Sequence, residues 1–135
     1  MKSLLSFVFL IVFTMFANAA TINYTSATSA GPMKAQNVKW TAIRGTADTA
    51  TEFKTANFNT ASIAIDGTFS GATVTLHGSN NGSSWTALTD QANVALSCTS
   101  ACIKTVQQKT LYVRPVGTGT VSAASIVVDL HLKTN

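Results

Sequence analysis

In Thr73-Val74-Thr75-Leu76-His77 the apolar residues stand at every second position. Successive side chains of an extended chain point to opposite faces, so Val74 and Leu76 share one face while Thr73, Thr75 and His77 share the other. That is the pattern of a strand in a sheet with one buried side. Short extended segments of similar character recur at 38–43, 62–65, 84–88, 111–114 and 125–133, and Gly and Asn interrupt them at close intervals. No stretch after residue 20 carries an apolar period of 3.6 over a useful length, and only 47–54 and 99–108 leave room for a turn or two of helix. Many short strands with regular turn signals predict an all-β fold, a single antiparallel β-sandwich of jelly-roll type. Its core should draw on Val74, Leu76, Trp85, Leu88, Tyr112, Val113, Ile126 and Val128.

A chain of 135 residues holds one such domain. Ahead of it, Lys2 precedes an apolar run from Leu4 to Phe16, followed by Ala17-Asn18-Ala19. A basic start, a short apolar stretch and a small-x-small site make a secretory signal. The run is shorter than the roughly 20 residues that a permanent membrane-spanning helix needs. The competing reading is an apolar arm that packs on a partner subunit. The predicted organisation is an apolar segment over 1–19, an extended arm over 20–36 rich in Thr, Ser and Ala, and a β-sandwich over 37–135.

The sharpest local signal is Gly78-Ser79-Asn80-Asn81-Gly82-Ser83-Ser84-Trp85. Asn and Gly tolerate the positive φ of tight turns, so Asn80, Asn81 and Gly82 should reverse the chain between two strands. Trp85, just after the turn, can cover one end of the core or serve as a stacking platform for a sugar. The pair Cys98 and Cys102 reads as a disulfide if the chain is exported, closing a loop too short to stabilise by more than about 2 kcal/mol. Without export the two remain small, partly buried thiols. Arg114-Pro115 marks the end or edge of a strand, and Arg114 has Asp90 or Asp129 as prospective partners. Asp66-Gly67 reads as turn or bulge chemistry, and His77 and His131 as surface or cross-strand groups.

The inventory for chemistry is short: five carboxylates, two histidines and two cysteines. No paired-carboxylate motif, nucleophile elbow or phosphate loop appears, and neither histidine has the neighbours a zinc site requires. The chain is expected to be no enzyme and to carry no metal or cofactor. Its net charge of +4 is scattered rather than clustered, which gives no footprint for nucleic acid.

From Trp40 to Leu132 the sequence resembles a group of small tailed-phage virion proteins. The resemblance rests on Trp40, on Gly67-Thr68-Phe69-Ser70-Gly71-Ala72-Thr73-Val74-Thr75-Leu76, on Gly78 to Trp85, and on Tyr112-Val113-Arg114-Pro115. It implies a β-sandwich that decorates or cements a capsid at the virion surface, with the major capsid protein or other virion subunits as partners and a homo-oligomeric state. The turn with its Trp and the late Arg strand are also similar to discoidin-like jelly rolls. Under that alternative the chain is a secreted or periplasmic module recognising surface glycans, with Trp40, Trp85, Tyr112 and Arg114 as binding residues.

Overall fold

The computed structural model describes residues 20–29, 34–45, 48–55, 58–119 and 123–134. The 1–19 segment, read as signal or assembly arm, lies outside them. Among the described residues every regular element is a strand: β1 (Thr21–Ile22), β2 (Tyr24–Thr28), β3 (Ala35–Ile43), β4 (Thr49–Ala50), β5 (Phe53–Lys54), β6 (Thr60–Thr68), β7 (Thr73–Ser79), β8 (Thr86–Ala87), β9 (Ser97–Cys98), β10 (Cys102–Val106), β11 (Tyr112–Thr118) and β12 (Ser125–Lys133). One sheet runs β10-β6-β12-β3-β2, the second runs β5-β11-β7-β8 with β9 added to β7, and all their pairings are antiparallel. A short parallel pair joins β1 to β4. The fold is the expected all-β sandwich.

Alternation builds the core. Along β12, Ile126, Val128, Leu130 and Leu132 are buried while Val127, Asp129 and His131 lie on the other phase. Val38, Trp40, Ile63 and Ile65 from the same sheet join them, and Val74, Leu76, Leu88, Leu96 and Val113 close the core from the second sheet. Each large apolar side chain so buried contributes about 1.5–3 kcal/mol toward offsetting chain entropy. Six of the eight expected core residues are buried, but Trp85 and Tyr112 are only half-buried. Tyr112 belongs to the outward phase of β11, and Trp85 lies in the loop just before β8.

The segment expected to be an extended arm is extended but not free. Its residues 21–28 form β1 and β2, Ala35 already belongs to β3, and the sandwich therefore begins near Thr21 rather than at 37. The anchor is Tyr24, whose ring meets Trp40 edge-on at 5.9 Å and Phe53 at 5.3 Å, so one aromatic cluster links both sheets. Asp48 fixes the start of the described chain. Its carboxylate accepts hydrogen bonds from the Arg44 backbone N–H at 2.9 Å and side chain at 3.1 and 3.2 Å, and from the Ala20 N–H at 3.3 Å.

Among the described residues neither place left open for a helical turn forms one. Described residues of 47–54 make β4 and β5, and 102–106 make β10, which pairs with β6 at the edge of its sheet. In β10 the apolar Ile103 points to solvent, 81% exposed, and Lys104 occupies the more buried phase, so the usual pattern is inverted. Lys104 is satisfied there by the Asp90 carboxylate at 3.5 Å and the Ala95 carbonyl at 3.3 Å. Asp66 and Gly67 lie inside β6 rather than in a turn. Pro115 lies in mid-strand, since β11 continues to Thr118. Pairing of β11 with β5 stops at Val113, so Pro115 sits where the strand has a single neighbour and its missing donor is tolerated.

Cys98 and Cys102 are paired, with Cα atoms 6.4 Å apart. Cys98 ends β9 in one sheet and Cys102 starts β10 in the other. The clip thus ties the two layers of the sandwich through a tight loop.

Candidate functional site

The second sheet presents an outer face on which three of the four expected binding residues gather. On β11, Tyr112 and Arg114 share the outward phase; register places them opposite Ser79 and His77 of β7. His77 in turn stands opposite Ala87 of β8. Trp85 precedes β8, and its ring lies under the Arg114 guanidinium at 4.1 Å from the ring centroid. The strand order β5-β11-β7-β8 puts Arg114 and Trp85 on opposite sides of β7, so the pair spans that strand. A guanidinium over an indole face is attracted by the ring quadrupole, by about 0.5–1 kcal/mol where exposed and more where desolvated.

Trp40 does not belong to this face. It is 0% exposed, and its indole N–H donates to the Thr51 carbonyl at 2.8 Å. Its phase along β3 points into the core, so it is a structural residue.

The loop between β7 and β8 holds Trp85 in place. It is wider than a two-residue hairpin, since β7 ends at Ser79 and β8 begins at Thr86. The buried Ser79 hydroxyl accepts hydrogen bonds from the backbone N–H groups of Asn81 at 3.3 Å and Gly82 at 3.0 Å. The Asn81 side-chain carbonyl accepts from the N–H groups of Ser83 at 2.9 Å and Ser84 at 2.8 Å. Gly82 adopts φ +73°, the left-handed conformation expected of it, which a β-branched residue adopts only with strain. Asn80 reaches outward instead: its side-chain oxygen accepts from the Leu111 N–H at 3.1 Å, joining the loop to the start of β11. All three turn residues therefore have distinct jobs. Beside the loop lies an open depression of about 410 Å³, bounded among others by Asn80, Asn81, Ser84, Gln108 and Thr110.

Electrostatics single out Arg114. Neither prospective partner serves it, because Asp90 pairs with Lys104 at 3.5 Å and Asp129 with Lys39 at 3.4 Å. Backbone N–H groups of Val94 and Ala92, with burial opposing, and Lys104 hold the Asp90 carboxyl below its ordinary range. The Arg114 Nε is buried with no acceptor among the described residues. His77 is held below its ordinary pKa by partial burial and by the adjacent Arg114 charge, so the imidazole is neutral near pH 7. His131, on the opposite sheet, bonds Asn37 across the β12–β3 pair.

Among the described residues no three His, Cys, Asp or Glu side chains cluster as a metal site would require. A signal for the Trp85–Arg114 contact lies in local alternation, which sets Arg114 beside the buried Val113 and Trp85 three residues from the buried Leu88, on the opposite phase; what sequence alone could not supply is that β11 and β8 flank the same strand. No protein-family model, curated protein or solved structure matches this chain.

Proposed function

We propose that the chain is a non-enzymatic structural protein of a tailed-phage virion, a decoration or cement protein that coats or stabilises the shell. Its partners on this reading are the major capsid protein or other virion subunits, and copies of itself. The supporting observation is that two motifs behind the resemblance, Gly78 to Trp85 and Tyr112 to Pro115, meet directly and through Leu111, the residue before the second. Trp85 stacks on Arg114 at 4.1 Å, and Asn80 bonds the backbone of Leu111 at 3.1 Å. Residues 29 and 31 positions apart in the sequence thus depend on one another, which gives their joint occurrence a structural reason.

The remaining features fit a scaffold rather than a catalyst. Asp48, Asp90 and Asp129 are committed to Arg44, Lys104 and Lys39. A sandwich clipped between its layers by Cys98 and Cys102 is a stiff unit, and a particle surface after lysis is an oxidising setting in which such a clip persists. Repetition over a symmetric shell converts a modest contact per copy into lasting attachment. Immunogold labelling with an antibody against the folded domain should decorate intact particles. Label confined to particle-free supernatant would overturn the proposal.

A further inference from the structure

We infer that the outer face around Arg114 is a binding site for a carboxylated sugar residue of the uronate type, a role beyond shell decoration. Arg114 is a cation held in place with no counter-ion among the described residues. No hydrogen bond or ion pair among the described residues reaches its guanidinium, while Asp48, Asp90 and Asp129 are paired with other cations. Trp85 covers it at 4.1 Å from the ring centroid, and its Nε is buried without an acceptor. With Nε buried, what the guanidinium can offer a ligand is its pair of terminal nitrogens, whose N–H groups form a fork. That fork matches the two oxygens of a planar carboxylate.

The surroundings suit a sugar. Tyr112, half-buried, lies two residues along the same face of β11, and the exposed Lys54 stands opposite it in register. A phenol ring offers an apolar face for the C–H side of a pyranose and a hydroxyl for its polar rim. His77, opposite Arg114, is neutral near pH 7 and adds a hydrogen-bonding group without another charge. An apolar ligand would bury the unpaired guanidinium, and a neutral sugar would leave it unmatched; both are disfavoured. A single contact of this size gives weak binding, and multiple copies on one particle would strengthen it through avidity.

The test is calorimetric titration of the purified full chain with an oligogalacturonate, its neutral galactose counterpart, and a glutamate-rich peptide. Saturable binding of the oligogalacturonate at least ten-fold tighter than of the other two is expected. Arg114→Gln, verified as folded by circular dichroism, should abolish it, and Arg114→Lys should weaken it several-fold, since the charge remains without the fork. Tryptophan fluorescence should shift on binding, and with Trp40 fully buried and hydrogen-bonded the shift reports Trp85. The inference is overturned if no uronate binds, if Arg114→Gln binds as the wild type does, or if the acidic peptide binds as tightly, which would make the face a protein contact. These readouts use the isolated protein, so their failure is separate from failure of the shell assignment.

Discussion

Replacing Gly67 by Ala tests whether β6 and β12 pack as described. A Cβ added at Gly67 would lie 2.3 Å from the Ser125 carbonyl oxygen and 3.2 Å from the Ile126 Cα. Both are backbone atoms of β12, which pairs with β6 on one side and β3 on the other, so neither yields without shifting a ladder. Gly67 also sits at φ +117°, beyond the left-handed well that other residues tolerate. Gly71→Ala is the control, since Gly71 has φ +86° with nothing within 4 Å of the added carbon. The dihedral alone costs about 1–2 kcal/mol for an L-residue. Gly71→Ala should therefore lower stability by about 1–2 kcal/mol, a fall in Tm of several degrees, and Gly67→Ala by at least about 3 kcal/mol, a fall of more than about 10 °C. Thermal and urea unfolding followed by circular dichroism supply both numbers. Equal losses in the two variants would refute the β6–β12 packing, because the dihedral would then explain everything.

Other expectations follow from single sites. Gly82→Val should cost about 1–3 kcal/mol through φ alone, as Tyr112 is 4.0 Å from the added carbon; an unchanged urea midpoint would contradict the loop conformation. Ala42, exposed on β3, adopts φ 61° where the β3–β12 register shifts, so Ala42→Gly should raise Tm by a few degrees, and a drop would show that the bulge is misplaced. In an exported protein, Cys98 and Cys102 should resist alkylation without reductant, and reduction should cost about 2 kcal/mol for a five-residue loop; ready alkylation of both would refute the pairing. The pKa of His77 is depressed on folding, so the unfolded chain binds the proton more readily and stability falls as pH drops from about 7 through the unfolded value of 6.5. His77→Gln should remove that part of the pH dependence in urea titrations, and an identical profile would show that His77 is not shielded.

How far the sequence predicts this molecule depends on where each signal resides. Alternation is local, so the strand around Val74 and Leu76 and the long β12 were legible. Loop chemistry is local too, and the positive φ of Gly82 follows from it. Edge strands were not legible. The run Tyr24–Thr28 has no apolar alternation and is held by Tyr24 against Trp40 and Phe53, contacts from distant segments. In β10, Ile103 faces solvent and Lys104 turns toward the interior because Asp90 and the Ala95 carbonyl receive it, which inverts the usual reading. The face proposed for binding was half legible. Trp85, Tyr112 and Arg114 carry the right residue types, but telling them from Trp40 required knowing which phase of β3 faces inward.

Absolute quantification of this protein against the major shell protein in purified particles, by isotope-labelled mass spectrometry, tests the structural assignment most directly. A decoration or cement protein occupies repeated, equivalent positions, so the ratio should be fixed between preparations and close to a simple fraction of the shell copy number. Absence from the particles, or a trace amount that varies with washing, would contradict it.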